Sequence, residues 1–164
     1  MSLYLENESD RELPFDETQI AEKVISEALD YIECPYETEV NVLLTTDEEI
    51  HEMNRMHRQI DRPTDVLSFP MVDYELPGDF SRLEENEDYF NPESGELMLG
   101  DIVISLDKVY AQAEEYGHTP LREYAFLIAH SMLHLFGFDH MEEEERIDME
   151  RRQREIMERV NILR

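Results

Sequence analysis

Cysteine occurs once in this chain of 164 residues, which excludes an internal disulfide framework and fits a reducing compartment. No apolar run approaches the ~20 residues that a helix needs to cross a bilayer. The opening MSLYLENESD has neither the basic start nor the apolar core of a secretion signal. A soluble cytoplasmic protein is the expectation. Glycine-rich phosphate loops, internal repeats and low-complexity tracts are absent. Positive charge is scarce as well: 14 Lys and Arg, only two of them lysine, face 41 Asp and Glu, for a net charge of −27. Basic contacts to phosphate supply most non-specific affinity for nucleic acid, so this surface should repel polyanions on average. That argues against a general nucleic-acid binder. What remains is a hydrophobic content of 41%, enough for one globular domain over residues 1–164.

Histidine is unevenly placed. Three of the six fall in Ala129-His130-Ser131-Met132-Leu133-His134-Leu135-Phe136-Gly137-Phe138-Asp139-His140, with the spacing H-x3-H-x2-G-x2-H. On a helix, His130 and His134 lie one turn apart and project from one face. Gly137 can take the left-handed conformation that ends a helix, returning His140 toward the first two. Three neutral imidazoles suit a tetrahedral Zn2+ whose fourth position is left for water, and the spacing is similar to that of the metzincin zinc helix. The competing reading is a structural zinc closed by Cys34 or Asp139 as fourth ligand. Nickel, cobalt and copper accept three imidazoles too.

Zinc proteases of the H-E-x-x-H type place a glutamate after the first histidine to activate water. Here that position is Ser131, whose hydroxyl is no general base near neutral pH without another base beside it. Peptide hydrolysis by that route is disfavoured. A zinc-bound water with a pKa of about 7 could still act as hydroxide.

Two further strings, Asn54-Arg55-Met56-His57-Arg58-Gln59-Ile60-Asp61-Arg62-Pro63-Thr64-Asp65-Val66-Leu67-Ser68-Phe69-Pro70 and Gly100-Asp101-Ile102-Val103-Ile104-Ser105, precede the histidine segment. Together with the histidine segment they resemble the YbeY family, bacterial metal-dependent endoribonucleases of ribosomal RNA maturation. The ordered match runs from near Asn54 to the C-terminus, and the N-terminal third agrees only in its helix–strand pattern. The resemblance implies hydrolysis of RNA phosphodiester bonds, in 16S rRNA 3′-end processing and ribosome quality control. It implies one Zn2+ per chain on His130, His134 and His140. It also places Arg58 in the cleft as a phosphate or transition-state contact, a role that suits the bidentate guanidinium. Ribosomal RNA, with ribosomal subunits or assembly factors, would be the partner; neither DNA nor a membrane is implied.

Two positions depart from the family pattern: Ser131 stands where glycine is usual, and Phe138 where tyrosine is. Neither removes a ligand, although Ser131 adds a side chain near the metal face. Arg55, Arg58 and Arg62 against Asp61 give a local net of +2, which can equally be read as cations offsetting a helix dipole. Two other functions stay open. One is a zinc hydrolase of another substrate such as a peptide, and the other a non-catalytic ribosome-assembly factor with a structural metal.

Along the chain the pattern predicts an α+β fold: a single compact domain with a small mixed β-sheet packed by helices, one buried helix carrying the histidines. Asp16 caps a helix with apolar Ile20, Val24, Ile25, Ala28, Leu29 and Ile32. Val40 to Leu44 reads as a strand, and Thr46-Asp47-Glu48-Glu49 as a capping box opening a helix toward Arg58. Val66 to Phe69 and Leu97 to Ile104 are strand-like, the second nearly continuous and so central. Residues 73–96, with nine acids and several turn formers, read as a flexible, solvated loop longer than the family pattern. Ser105 or Asp107 starts a helix ending at Gly117. Thr119 and Pro120 open the histidine helix, which runs to Phe136 and has Phe126, Leu127, Ile128, Met132, Leu133 and Leu135 buried on several sides. Glu123, seven residues before His130, could orient that ligand or be an ordinary surface glutamate. Asp101 could position the cleft or a water, or cap a turn. The charged C-terminal helix reads as a solvated face with i,i+4 pairing.

Overall fold

A computed structural model describes residues 1–162. In chain order the elements are β1 (Ser2–Asn7), α1 (Glu17–Tyr31), β2 (Thr38–Thr45), α2 (Asp47–Arg58), β3 (Val66–Pro70), β4 (Leu97–Ser105), α3 (Leu106–Tyr116), α4 (Pro120–Leu135) and α5 (Glu143–Val160). The strands form one mixed sheet in the order β1-β2-β4-β3. β1–β2 and β2–β4 are parallel and β3–β4 is antiparallel. Parallel neighbours need a crossover, and α1 supplies it between β1 and β2. This is the expected α+β domain, with β4 inside the sheet as its apolar run predicts.

Short-range chemistry sets the boundaries. The Asp16 carboxylate accepts from the Thr18 and Gln19 amides at the start of α1, and Thr46 accepts from Glu49 N at the start of α2. Ser105, not Asp107, caps α3 through Lys108 N, and left-handed Gly117 ends it. Thr119 caps α4 with Pro120 in the first turn. Each cap satisfies amides that a helix N-terminus leaves without partners.

The main core lies between one sheet face and helices α1, α4 and α5, with Val24, Ile25, Val42, Leu44, Ile102, Ile104, Ile128, Met132 and Ile156 among its members. A smaller cluster of Ile50, Leu67 and Val103 sits under α2 on the opposite face. α4 is buried along most of its length, with one exception to expectation: Phe126 is 37% exposed. α5 combines the anticipated ion pairs, Arg146–Glu150 at 3.0 Å and Arg151–Glu155 at 3.0 Å, with a buried stripe of Met149, Gln153, Ile156, Met157 and Val160.

The structure adds one strand to the sequence pattern and corrects one expectation. β1 was not foreseen; its Leu3 and Leu5 register with Val40 and Val42 at the sheet edge and alternate with polar residues on a half-exposed strand. The 73–96 segment is not simply a solvated loop. Phe80 and Leu83 enter the main core, residues 83–85 and 87–89 form 3-10 turns, and Gly78 N donates to the Phe136 carbonyl at 2.8 Å. Apolar side chains spaced among the acids bind the segment to the end of α4.

Candidate metal centre

His130 and His134 lie on one face of α4, with their Nε2 atoms 3.2 Å apart. The helix stops at Phe136, where Gly137 N donates to the His134 carbonyl at 3.0 Å and Phe138 N to the Leu133 carbonyl at 3.0 Å. Gly137 has φ +97°, and a Cβ there would sit 2.9 Å from the Tyr74 ring. Both the turn and the close approach therefore require glycine. The reversal brings the His140 ring to 5.7 Å and 5.2 Å, between centroids, from His130 and His134. One donor atom from each histidine lies within 4.8 Å of the others.

Hydrogen bonds fix which nitrogens face inward. His134 Nδ1 donates to the Phe138 carbonyl at 3.0 Å, and His130 Nδ1 to Gln153 Oε1 at 3.3 Å. Both Nε2 atoms then carry lone pairs and face each other, an arrangement that a cation relieves. Burial pushes the His130 pKa down. His134 is held at about 4 by burial, with His130 and His140 alongside adding repulsion. Neutral imidazoles are the metal-binding form, so the donor set fits a divalent transition metal. Cys34 and Asp139 are not in this group: Cys34 Sγ turns to the Tyr36 carbonyl, and Asp139 accepts from His140 N at 2.8 Å. Three protein donors would leave coordination positions open on an ion held there.

The histidines line a cleft of about 1060 Å3 together with Arg58, Asp65, Ser68, Asp73 and Tyr74. Arg58, at the C-terminal end of α2, is exposed and makes no ion pair among the described residues. Its neighbours are engaged differently. Arg55 pairs with Glu52, Asp61 takes the His51 ring at 2.8 Å, and Arg62 offers its carbonyl to Asn54. Of the three clustered arginines, only Arg58 lines the cleft.

Several candidates stand elsewhere than sequence spacing indicated. Glu123 is 1% exposed but bonds His118 at 2.6 Å and Gln112 at 2.8 Å, not His130. It reaches the cleft only through Gln112, which also donates to Asp65 at 3.3 Å. Ser131 is fully buried and shares a 2.6 Å hydrogen bond with Ser68 of β3, and it is not among the residues lining the cleft. Asp101 accepts from Asn41 at 2.9 Å and lines a separate cavity beside Leu3, Leu5 and Met53; it neither borders the metal cleft nor caps a turn. Phe138 is buried, and the Arg152 guanidinium lies 4.5 Å over its ring, steadying the carbonyl that holds His134. Gln153, Asp65 and Tyr74 were not singled out from the sequence. Asp65 and Tyr74 carried no signal beyond their neighbours, whereas Gln153 stands out as an uncharged polar residue on the apolar stripe of α5.

An α+β domain that converges three imidazoles on an open cleft at the end of a buried helix has the outline of a mononuclear metal hydrolase. The sequence profile described as Endoribonuclease YbeY matches residues 4–161. An Endoribonuclease YbeY of Lachnoclostridium phytofermentans is 58% identical over 165 residues, covering 100% of both chains. That of Lachnospira eligens is 52% identical over 169 residues with the same coverage. That of a Thermoanaerobacter species is 42% identical over 163 residues, covering 99% of each. The chain belongs to the YbeY endoribonuclease family. Its fold is also that of TM1509 from Thermotoga maritima, a solution structure matched with a TM-score of 0.58 and 25% identity over 96% of this chain and 88% of that one.

Proposed function

We propose that this chain is a zinc-dependent endoribonuclease that hydrolyses phosphodiester bonds in single-stranded ribosomal RNA during 16S 3′-end maturation and ribosome quality control. It works in the cytoplasm, with ribosomal subunits or assembly factors as partners. One observation carries the reading: three imidazole donors open onto the same cleft as an arginine with no ion-pair partner among the described residues. His130, His134 and His140 would hold the ion. When bound, it supplies Lewis acidity toward water and a phosphoryl oxygen. Arg58 grips non-bridging phosphate oxygens through its planar fork and stabilises the charge that builds there as the bond breaks. Asp65, Asp73 and Asp139 line the same cleft and repel phosphate elsewhere, so the ion and Arg58 set where the backbone lies. Against a peptidase reading, Ser131 is buried, is hydrogen-bonded to Ser68 and is not among the residues lining the cleft, and a hydroxyl is no general base near neutral pH.

The test is cleavage of single-stranded RNA beside metal content by plasma mass spectrometry. We expect about one zinc per chain and a folded Arg58→Glu variant that keeps the metal and loses roughly 100-fold in rate. His134→Ala should lose the metal and the activity while staying folded. If Arg58→Glu cleaves as the parent does, Arg58 has no part in the chemistry. If removing a histidine unfolds the protein, the metal is a structural staple.

A further inference from the structure

Gln153 is the polar residue of α5 that the proposed chemistry leaves unused. It lies on the helix face that packs into the core, beside Met149, Ile156 and Met157, and is 5% exposed. A carboxamide at such a position is costly unless both its ends are bonded. Both are. Its Nε2 donates to the Phe126 carbonyl at 3.3 Å, and its Oε1 lies 3.3 Å from His130 Nδ1. The Phe126 carbonyl can only accept, so the amide nitrogen must face it and the oxygen must face the histidine. An oxygen there can only accept, so the proton of neutral His130 must reside on Nδ1 and the lone pair on Nε2. His134 is locked the same way, but by a backbone carbonyl. Among the described residues, Gln153 is therefore the one side chain bonded to the Nδ1 of either helical histidine, and it comes from a different helix.

We propose that Gln153 is a positioning residue of the metal centre, fixing His130 in the Nδ1-protonated tautomer and ring orientation that present Nε2 to the ion. The assignment rests on reading the three histidines as a metal site. It explains why a polar residue interrupts the buried stripe of α5, and it makes the docking of α5 on α4 part of the affinity for metal. Outer partners of this kind typically contribute 10- to 100-fold in metal affinity.

Two measurements separate this proposal from the reading beneath it. The first uses metal-free protein: long-range proton–nitrogen correlation spectra of the imidazoles at pH 8, where neutral tautomers are distinguishable. We expect His130 as the Nδ1–H form in the parent and in Gln153→Glu, which keeps an acceptor, and a mixture or the Nε2–H form in Gln153→Leu. The second is Zn2+ affinity by competition with a chromophoric chelator. Gln153→Leu should bind Zn2+ about 10- to 100-fold more weakly, while Gln153→Glu binds at the parent level or tighter. A purely structural role would instead lower the melting temperature of the metal-free Gln153→Leu protein without changing the His130 tautomer. A parent His130 in the Nε2–H form, or equal Zn2+ affinity in Gln153→Leu and the parent, overturns the proposal. If the parent binds no Zn2+ yet shows the Gln153-dependent tautomer, the metal reading fails and the Gln153–His130 bond stands as structural only.

Discussion

Ser131 follows the first histidine in sequence yet sits about 100° further round the helix, fully buried against Ser68. That placement makes the swap to a protease-like pattern unworkable. We expect Ser131→Glu to force a carboxylate into the fully buried space against Ser68 and to destabilise the metal-free fold by on the order of 3 kcal/mol. It should confer no peptidase activity, as read by urea denaturation beside a peptide-cleavage assay. A stable variant that cleaves peptides would show that position 131 does reach the metal. His134 gives a prediction in pH. Its folded pKa of about 4 lies below the ~6.5 of an unfolded histidine, so the unfolded state takes up the proton first. The corresponding stability is complete above ~6.5, declines as pH falls through that window, and levels off below the folded value. In metal-free protein the urea midpoint of the parent should therefore fall more steeply from pH 6.5 to 4 than that of His134→Gln. Parallel curves would mean that the fold does not hold this imidazole neutral.

At the scale of elements, α2 matters because it carries Arg58, and its other end is tied down by α3. The Asp107 carboxylate accepts from Asp47 N at 2.8 Å and from Arg11 at 2.8 Å, with backbone donation the main reason its pKa lies below the usual carboxylate range. Ser105 and Lys108 hold the Asp47 side chain at 2.7 Å and 3.1 Å. Asp107→Ala should cost about 1–2 kcal/mol and slow RNA cleavage through Arg58 while leaving metal content at the parent level. Loss of metal in that variant would contradict the separation of the two helices. The caps that delimit α1, α2, α3 and α4 were legible in the sequence because a cap needs only residues a few positions apart. The histidine spacing was legible for the same reason, since helix pitch and one glycine turn bring its members together. Gln153 and Glu123 were not, because their partners depend on how α5 and α3 dock against α4. β1 was hidden by its edge position, where Leu3 and Leu5 are only half covered. The acids of residues 73–96 masked Phe80 and Leu83, which tie that segment to the core.

For the molecule as a whole, a net charge of −27 must coexist with an RNA substrate. Most described arginines are already neutralised by carboxylates, among them Arg11 with Asp107, Arg55 with Glu52, Arg82 with Glu85, Arg146 with Glu150 and Arg151 with Asp148. Arg58 is the arginine lining the metal cleft. Under the proposed function, the grip on RNA would rest on few phosphate contacts near the three histidines, with no broad basic surface among the described residues. Counterion release gives a salt slope of about −0.7 per phosphate contacted on a single strand, so two or three contacts predict a slope no steeper than about −2. Added salt also screens the repulsion between RNA and the acidic surface, which flattens the slope further. We expect binding of an uncleavable single-stranded RNA to metal-loaded protein, followed by fluorescence anisotropy between about 50 and 200 mM salt, to weaken only modestly. Arg58→Glu should flatten the dependence again by removing one of the few contacts. A slope steeper than about −5 would require a basic surface that this charge distribution does not contain. It would move the RNA-binding site away from the metal cleft.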